Sequence, residues 1–136
     1  MPEFIAPYAP LLQALAALAL LMLVQTLVAD LAGMRAKHVP GMPVTSGHSD
    51  FFFRATRTLA NTNENIGAFL VALLAAVWLG ASPAWVNGLA WAFVAARAAY
   101  LVCYYADWRW PRSIVFGAGV AAQAGLVLVV ARAAFF

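Results

Sequence analysis

Charge is scarce in this chain: Asp, Glu, Lys and Arg together make up 10% of its 136 residues, where a soluble domain carries about 25%. So few charges cannot clothe a water-facing surface, which excludes an ordinary soluble fold. Cysteine is almost absent as well. The one cysteine, Cys103, lies in an apolar segment without a second thiol, which excludes a disulfide framework or a cysteine metal site within one chain. It is read as a small buried hydrophobe. The eight basic residues outnumber the five acidic ones by three, but they are scattered among hydrophobic runs. They form no stripe suited to a phosphate backbone, so no nucleic-acid partner is expected. His38 and His48 share one loop with only Asp50 as a further ligand, and no metal is expected there.

What is present is hydrophobic sequence. Apolar residues make up 65% of the chain and mean hydropathy is +0.86, the signature of an integral membrane protein. A membrane-crossing helix takes about 20 apolar residues, so the length accommodates four spans and no separate soluble domain. The expected fold is an all-α, four-helix membrane bundle, one domain over residues 1–136, with spans at about 10–32, 51–79, 84–105 and 112–134. The first apolar run lacks a basic leader and a small-residue cleavage site and is expected to remain as a mature span. Gly80 and Pro83 in "GASP" supply a helix terminator and a turn, and Pro111 suits the first turn of span four. Trp78, Trp85, Trp108 and Trp110 fall at span ends, as interfacial anchors do. Arg35, Lys37, Arg54 and Arg57 surround the first loop and Arg109 and Arg112 the third, while the second has no basic residue. The positive-inside rule therefore puts loops one and three in the cytoplasm.

The stretch "RTLANTNENIG" is the polar exception. Arg57, Asn61 and Glu64 recur at i, i+4 and i+7, one helical stripe that Asn65 extends. Charged groups within spans cost roughly 2.5–3.5 kcal/mol and usually turn into the bundle. The expectation is that this stripe points inward, leaving Thr58, Thr62 and Asn63 to headgroups or neighbouring chains. In span three, Arg97, Tyr100 and Tyr104 form a second stripe. Glu64 is the one acid at the depth of Arg97, so an Arg97–Glu64 ion pair between helices is expected. Interhelical glue explains single buried polar residues, but it does not require two further arginines, Arg57 and Arg112, at the same end. Surplus guanidinium implies an anionic ligand, carboxylates above all. A ligand with carboxylates, amides and a thiol uses every part, because nearby positive charge lowers a thiol's pKa.

The two motifs "SGHSDFFFRATRTLANTNEN" and "ARAAYLVCYYADWRWPRS" together resemble the membrane-associated proteins in eicosanoid and glutathione metabolism, the MAPEG family, and in particular its bacterial members. The resemblance extends over nearly the whole chain. It implies a homotrimer in a membrane, a bacterial inner membrane for such members, with glutathione held between neighbouring subunits at the cytoplasmic end. It further implies that Arg57, Asn61, Glu64, Tyr100 and Tyr104 hold glutathione, with Arg35 or Lys37 as the basic residue ending span one, and the two polar stripes add Asn65 and Arg97 to the expected binding set. Arg54 competes with Arg57 for its role. Arg112 resembles the arginine that stabilises the thiolate, and Ser113 the serine beside it. Asn65 stands where eicosanoid-making members carry an aromatic residue, and Phe116 where some carry tyrosine, which points away from leukotriene or prostaglandin synthesis.

The implied function is a membrane glutathione transferase, with peroxidase activity as an extension, that conjugates glutathione to a lipophilic small molecule arriving from the bilayer. The alternative is a non-catalytic lipid- or glutathione-binding scaffold of the same fold, which has no reason to keep Arg112 with Ser113. A channel would need a continuous polar path, and the end away from loops one and three is almost entirely apolar.

Overall fold

The computed structural model describes residues 2–136. A single 3-10 turn, Ala6–Tyr8, leads into four α-helices: α1 (Ala9–Arg35), α2 (Phe51–Trp78), α3 (Pro83–Tyr105) and α4 (Arg109–Phe135). No strand occurs among the described residues.

Local chemistry sets the boundaries. Proline opens α1 and α3, at positions where its missing N–H would have no helical partner anyway. Asp50 caps α2, its Oδ1 accepting the Phe52 N–H at 2.9 Å, which satisfies one of the orphan donors of the first turn. Helix α4 starts at Arg109, ahead of the expected 112. Pro111 falls within the first turn, so the helix runs through it, and the Arg112 N–H makes the i−4 bond to the Trp108 carbonyl at 3.1 Å. The first three long helices end alike. The N–H groups of His38, Ala81 and Trp108 return to the carbonyls of Gly33, Ala76 and Cys103, with Lys37, Gly80 and Asp107 at positive φ. This is the left-handed Schellman closure, which glycine adopts freely and which costs other residues about 1 kcal/mol or more.

Three segments, Ala6–Arg35, Pro83–Tyr105 and Arg109–Phe135, are long and apolar enough to cross a membrane. Helix α2 has 28 residues, roughly 40 Å at 1.5 Å per residue, but its first half carries the polar stretch and falls short in apolarity. The chain runs up and down. At one end the Tyr8 hydroxyl donates to the Ala81 carbonyl, and Asn87 Nδ2 donates to the Pro7 carbonyl at 2.9 Å. Asn87 Oδ1 meanwhile accepts the Leu11 N–H at 3.1 Å. These bonds tie the N-terminal turn to the α2–α3 loop and the start of α3. At the other end the rings of His48 and Tyr104 stack at 5.9 Å, joining the α1–α2 loop to the end of α3.

The main core, including Leu11, Leu18, Phe69, Phe93 and Leu126, fills the half of the bundle toward the α2–α3 loop. A smaller cluster of Ala29, Ala32, Phe52 and Ala55 lies under the α1–α2 loop. Helices α3 and α4 form the most extensive pair, and glycines permit their approach: a Cβ on Gly125 would stand 3.1 Å from Leu89 Cδ2, and one on Gly119 2.7 Å from Arg97 Nη2.

Helix α2 does not turn the expected face inward. Within the chain Thr58 and Thr62 are fully buried, whereas Arg57 and Glu64 are exposed. Each threonine hydroxyl donates to the carbonyl one turn back, Thr58 to Arg54 at 2.7 Å and Thr62 to Thr58 at 3.2 Å. This self-satisfaction lets a hydroxyl sit in a packed interior. The Arg57, Asn61, Glu64 stripe is one face, but it borders the core and is not the core face.

Candidate functional site

The site begins with α3. Phe93, Arg97, Tyr100 and Tyr104 lie at i, i+4, i+7 and i+11, one stripe aimed into the bundle, and all four are buried. The Phe93 ring stacks on Phe69 of α2 at 4.0 Å, which anchors the inner end of the column. Arg97, 0% exposed, comes next. Its guanidinium carbon lies 5.5 Å from the Phe93 ring, 5.0 Å from Tyr100 and 5.4 Å from Phe116 of α4, and Nη1 donates to Asn61 Oδ1 at 2.8 Å. The expected Arg97–Glu64 ion pair does not form. Glu64 faces outward, its Oε1 4.0 Å from Arg57 Nη1 with both side chains about half exposed, and such a pair contributes little in water. Three aromatic faces and one amide oxygen stand where a counter-ion was expected, each face attracting the cation through its quadrupole.

Toward the loops the column continues. Tyr100 and Tyr104 pack with ring centres 5.3 Å apart, and Arg112 of α4 lies over Tyr104 at 4.6 Å. Beyond them, His48 Nε2 is 3.3 Å from the Tyr104 hydroxyl, and its ring is 5.0 Å from Phe53. Asn61, Tyr100, Tyr104, Arg112, Ser113 and Phe116 line a cavity of about 270 Å³. No carboxylate is in that lining, although Arg112 borders it and Arg97 stands directly behind Asn61. Arg112 Nη1 and Arg97 Nε and Nη2 are buried without a hydrogen-bond partner. Unpaired buried donors on cations are costly, and of these the one on Arg112 belongs to the cavity lining, which suits the site to an anion. The Ser113 hydroxyl donates to the Arg109 carbonyl at 3.3 Å, so it must rotate before it can donate into the cavity.

The other candidates lie around this cavity and not in it. Arg57 and Glu64 stand on the exposed face of α2, next to Asn61 in the helical stripe. Asn65 Nδ2 donates to the Asn61 carbonyl at 2.7 Å, inside its own helix. Arg35 ends α1 beside a separate 500 Å³ depression that includes Asp50 and Phe52, and Lys37 borders a 350 Å³ one within the α1–α2 loop. Arg54 is engaged locally, where Nη1 donates to the carbonyls of His48 at 2.6 Å and Ser49 at 3.0 Å, holding that loop against α2. Asp50 belongs to the same clasp. Hydrogen bonds from Ser46 and from the Phe52 N–H, helped by Arg54, hold its carboxyl below the ordinary 3.8. Asp107 Oδ1 is 4.0 Å from Arg109 Nε, the loop pairing its position suggests. Among the described residues no group of three or more His, Cys, Asp or Glu could hold a metal.

Sequence reasoning sets His48 aside as a failed metal ligand and does not place it at this cavity. Nothing periodic marks a loop residue, and the one available signal is its place just before the helix that carries the polar stripe. Phe93 escapes notice because a phenylalanine in an apolar span looks like any other.

No curated protein matches the chain. The family pattern described as "MAPEG family" matches residues 11–132, which takes in all four helices, the cavity and the column of rings and guanidinium groups behind it. The chain therefore belongs to the MAPEG family of membrane proteins, which includes glutathione transferases and also members that are not enzymes.

Proposed function

We propose that this protein is a membrane-bound glutathione transferase. The observation that carries the reading is the acid-free cavity bordered by Arg112, whose Nη1 is buried and unpartnered. Glutathione brings what that cavity lacks: two carboxylates, acceptor carbonyls and a thiol. Arg112 would hold the sulfur as thiolate, the thiol proton passing to solvent, because a fixed neighbouring cation favours the charged form. The thiolate lone pair then forms the new C–S bond to a lipophilic electrophile while the leaving group departs with its electron pair. Tyr100 and Tyr104 orient the tripeptide, Ser113 assists after rotation, and Asn61 donates to an acceptor. The same thiolate attacking a peroxide oxygen would break the O–O bond and release the alkoxide, which takes a proton, and a second glutathione would reduce the resulting sulfenic acid to disulfide and water, giving peroxidase activity.

Arg57, Glu64 and Asn65, with Arg35 or Lys37, complete the glutathione site in the reading we propose, through association into a homotrimer. The physical support is the exposed face of α2: Arg57 and Glu64 on a helix packed among three membrane-crossing ones cost roughly 2.5–3.5 kcal/mol each if they face lipid, and a second copy would cover them. Helix α2 then crosses the bilayer with the others, loops one and three lie in the cytoplasm, and a bacterial inner membrane is the expected home. Lipophilic substrate arrives sideways from the bilayer.

Purified protein in detergent, given glutathione and a chlorodinitrobenzene-type electrophile, tests the reading. Conjugation and an ultraviolet thiolate band upon binding are expected, and Arg112→Ala should abolish the band while sparing much of the affinity. Binding without band or turnover in the wild type would instead establish the non-catalytic binder, and a band that survives Arg112→Ala would assign activation to another group.

A further inference from the structure

Arg97 is fully buried, yet its only hydrogen bond among the described residues goes to a side chain at the cavity, Asn61. A guanidinium has five N–H donors and no acceptor. Whatever it bonds must therefore be an oxygen, and this fixes the Asn61 amide: Oδ1 faces Arg97 and Nδ2 takes the opposite side. Among the described residues Asn61 takes part in side-chain hydrogen bonds only through Oδ1 and its backbone carbonyl, and Nδ2 is not among the buried atoms left without a partner, so Nδ2 remains accessible, on a residue that borders the cavity. We infer that Arg97 is a positioning residue: it never touches the ligand, and it orients Asn61 so that the amide presents a donor to a carboxylate or carbonyl oxygen.

The surroundings of Arg97 leave it little choice of partner. Phe93, Tyr100 and Phe116 enclose the guanidinium at 5.0–5.5 Å, and on the α4 side Gly119 gives it room. A Cβ there would stand 2.7 Å from Nη2 and 3.3 Å from Nε, closer than side-chain carbons pack. Both nitrogens lack hydrogen-bond partners, so the cage fixes the fork without competing for Nη1. A rigid donor on one side of an amide removes the flip that would otherwise offer the ligand a repelling oxygen half the time, and such preorganisation raises affinity without a new contact. It also explains why an arginine sits here without a carboxylate: an acid beside it would leave Asn61 unoriented.

The inference rests on the glutathione reading for its ligand, and a thermodynamic cycle tests it. Glutathione affinity is measured for the wild type, Arg97→Met, Asn61→Ala and the double variant, all in detergent. Asn61→Ala should weaken binding about fivefold to tenfold, one hydrogen bond's worth, Arg97→Met about twofold, since the freed amide is turned away roughly half the time, and the double variant should be no weaker than Asn61→Ala. Losses that multiply in the double variant would overturn the proposal, because Arg97 would then act on the ligand independently. Arg97→Lys, which keeps a donor and the charge, should restore most of the affinity. Should Arg97→Met fail to fold, Gly119→Ala displaces the guanidinium with both partners present and should reproduce the loss in the wild-type background but not beside Asn61→Ala. The side-chain amide resonances of isotope-labelled Asn61 need no ligand. They should report one fixed orientation in the wild type and change in Arg97→Met or Gly119→Ala; an unchanged signal overturns the positioning role. A wild type that fails to bind glutathione, with the amide signal behaving as described, defeats the glutathione reading alone.

Discussion

The two ends of the bundle handle polar groups in opposite ways. At the end formed by the N-terminal turn and the α2–α3 loop, Tyr8 and Asn87 bond neighbouring backbone. Every buried side-chain nitrogen or oxygen left without a partner among the described residues lies on Gln25, Arg54, Arg97, Tyr105, Asp107 or Arg112, all in the half toward loops one and three. One end leaves no buried side-chain polar atom unpaired among the described residues, and the other is closed in packing but not in hydrogen bonding. An unsatisfied buried polar group calls for an explanation, and for Arg112, the one such residue in the cavity lining, the ligand we propose would supply the missing acceptor.

Breaking the open end should cost function, and breaking the closed end should cost stability. The largest effect is expected from Arg112→Ala, which removes the cation that stands beside the reacting sulfur in the function we propose. Turnover of glutathione conjugation should fall about a hundredfold, the scale of losing one preorganised charge-stabilising donor. At the closed end, Tyr8→Phe leaves the Ala81 carbonyl without its buried donor and should cost about 1–3 kcal/mol, read as a lower thermal midpoint in detergent with glutathione affinity unchanged. His48→Ala removes the ring over Tyr104 and should weaken glutathione binding a few-fold, the size of one aromatic contact, with little change in midpoint. An effect on stability and none on binding would return His48 to the role of loop packing.

The smallest effect concerns the loop clasp. Because hydrogen bonds from Ser46 and Phe52 lower the Asp50 pKa in the folded protein, its ionised form favours the fold. That contribution is full above the ordinary 3.8 and fades as pH falls through the lowered folded value. Asp50→Ala should therefore lower the thermal midpoint slightly at neutral pH, and the gap from wild type should close as the medium becomes more acidic than that. A gap independent of pH would mean the carboxylate charge is not what holds the clasp.

The same contrast explains what could be read from the sequence. Hydropathy locates the helices, because burial of long apolar runs leaves little alternative, and Gly80 marks its turn because few other residues adopt that φ freely. Periodicity groups Arg57, Asn61 and Glu64 on one stripe, but of the three Asn61 turns inward to Arg97 while Arg57 and Glu64 stand exposed. One residue along a helix is a rotation of about 100°, and only the neighbouring helices decide which of two adjacent stripes is buried. Self-bonded threonines such as Thr58 and Thr62 carry no mark of that in the sequence. Arg97 misleads for a different reason: charge matching selects Glu64, whereas ring faces and an amide oxygen suffice. The start of α4 is expected too late because Pro111 looks like a boundary, although the first turn absorbs it.

Hydrogen exchange of the backbone with and without saturating glutathione tests the contrast between the ends most directly. Glutathione should protect the α1–α2 loop over residues 36–50 and the first turns of α4 around Arg112 and Phe116, and leave the α2–α3 loop over residues 79–82 unchanged. Protection at the α2–α3 loop, or none anywhere at saturation, would contradict the assignment of the open end as the ligand site.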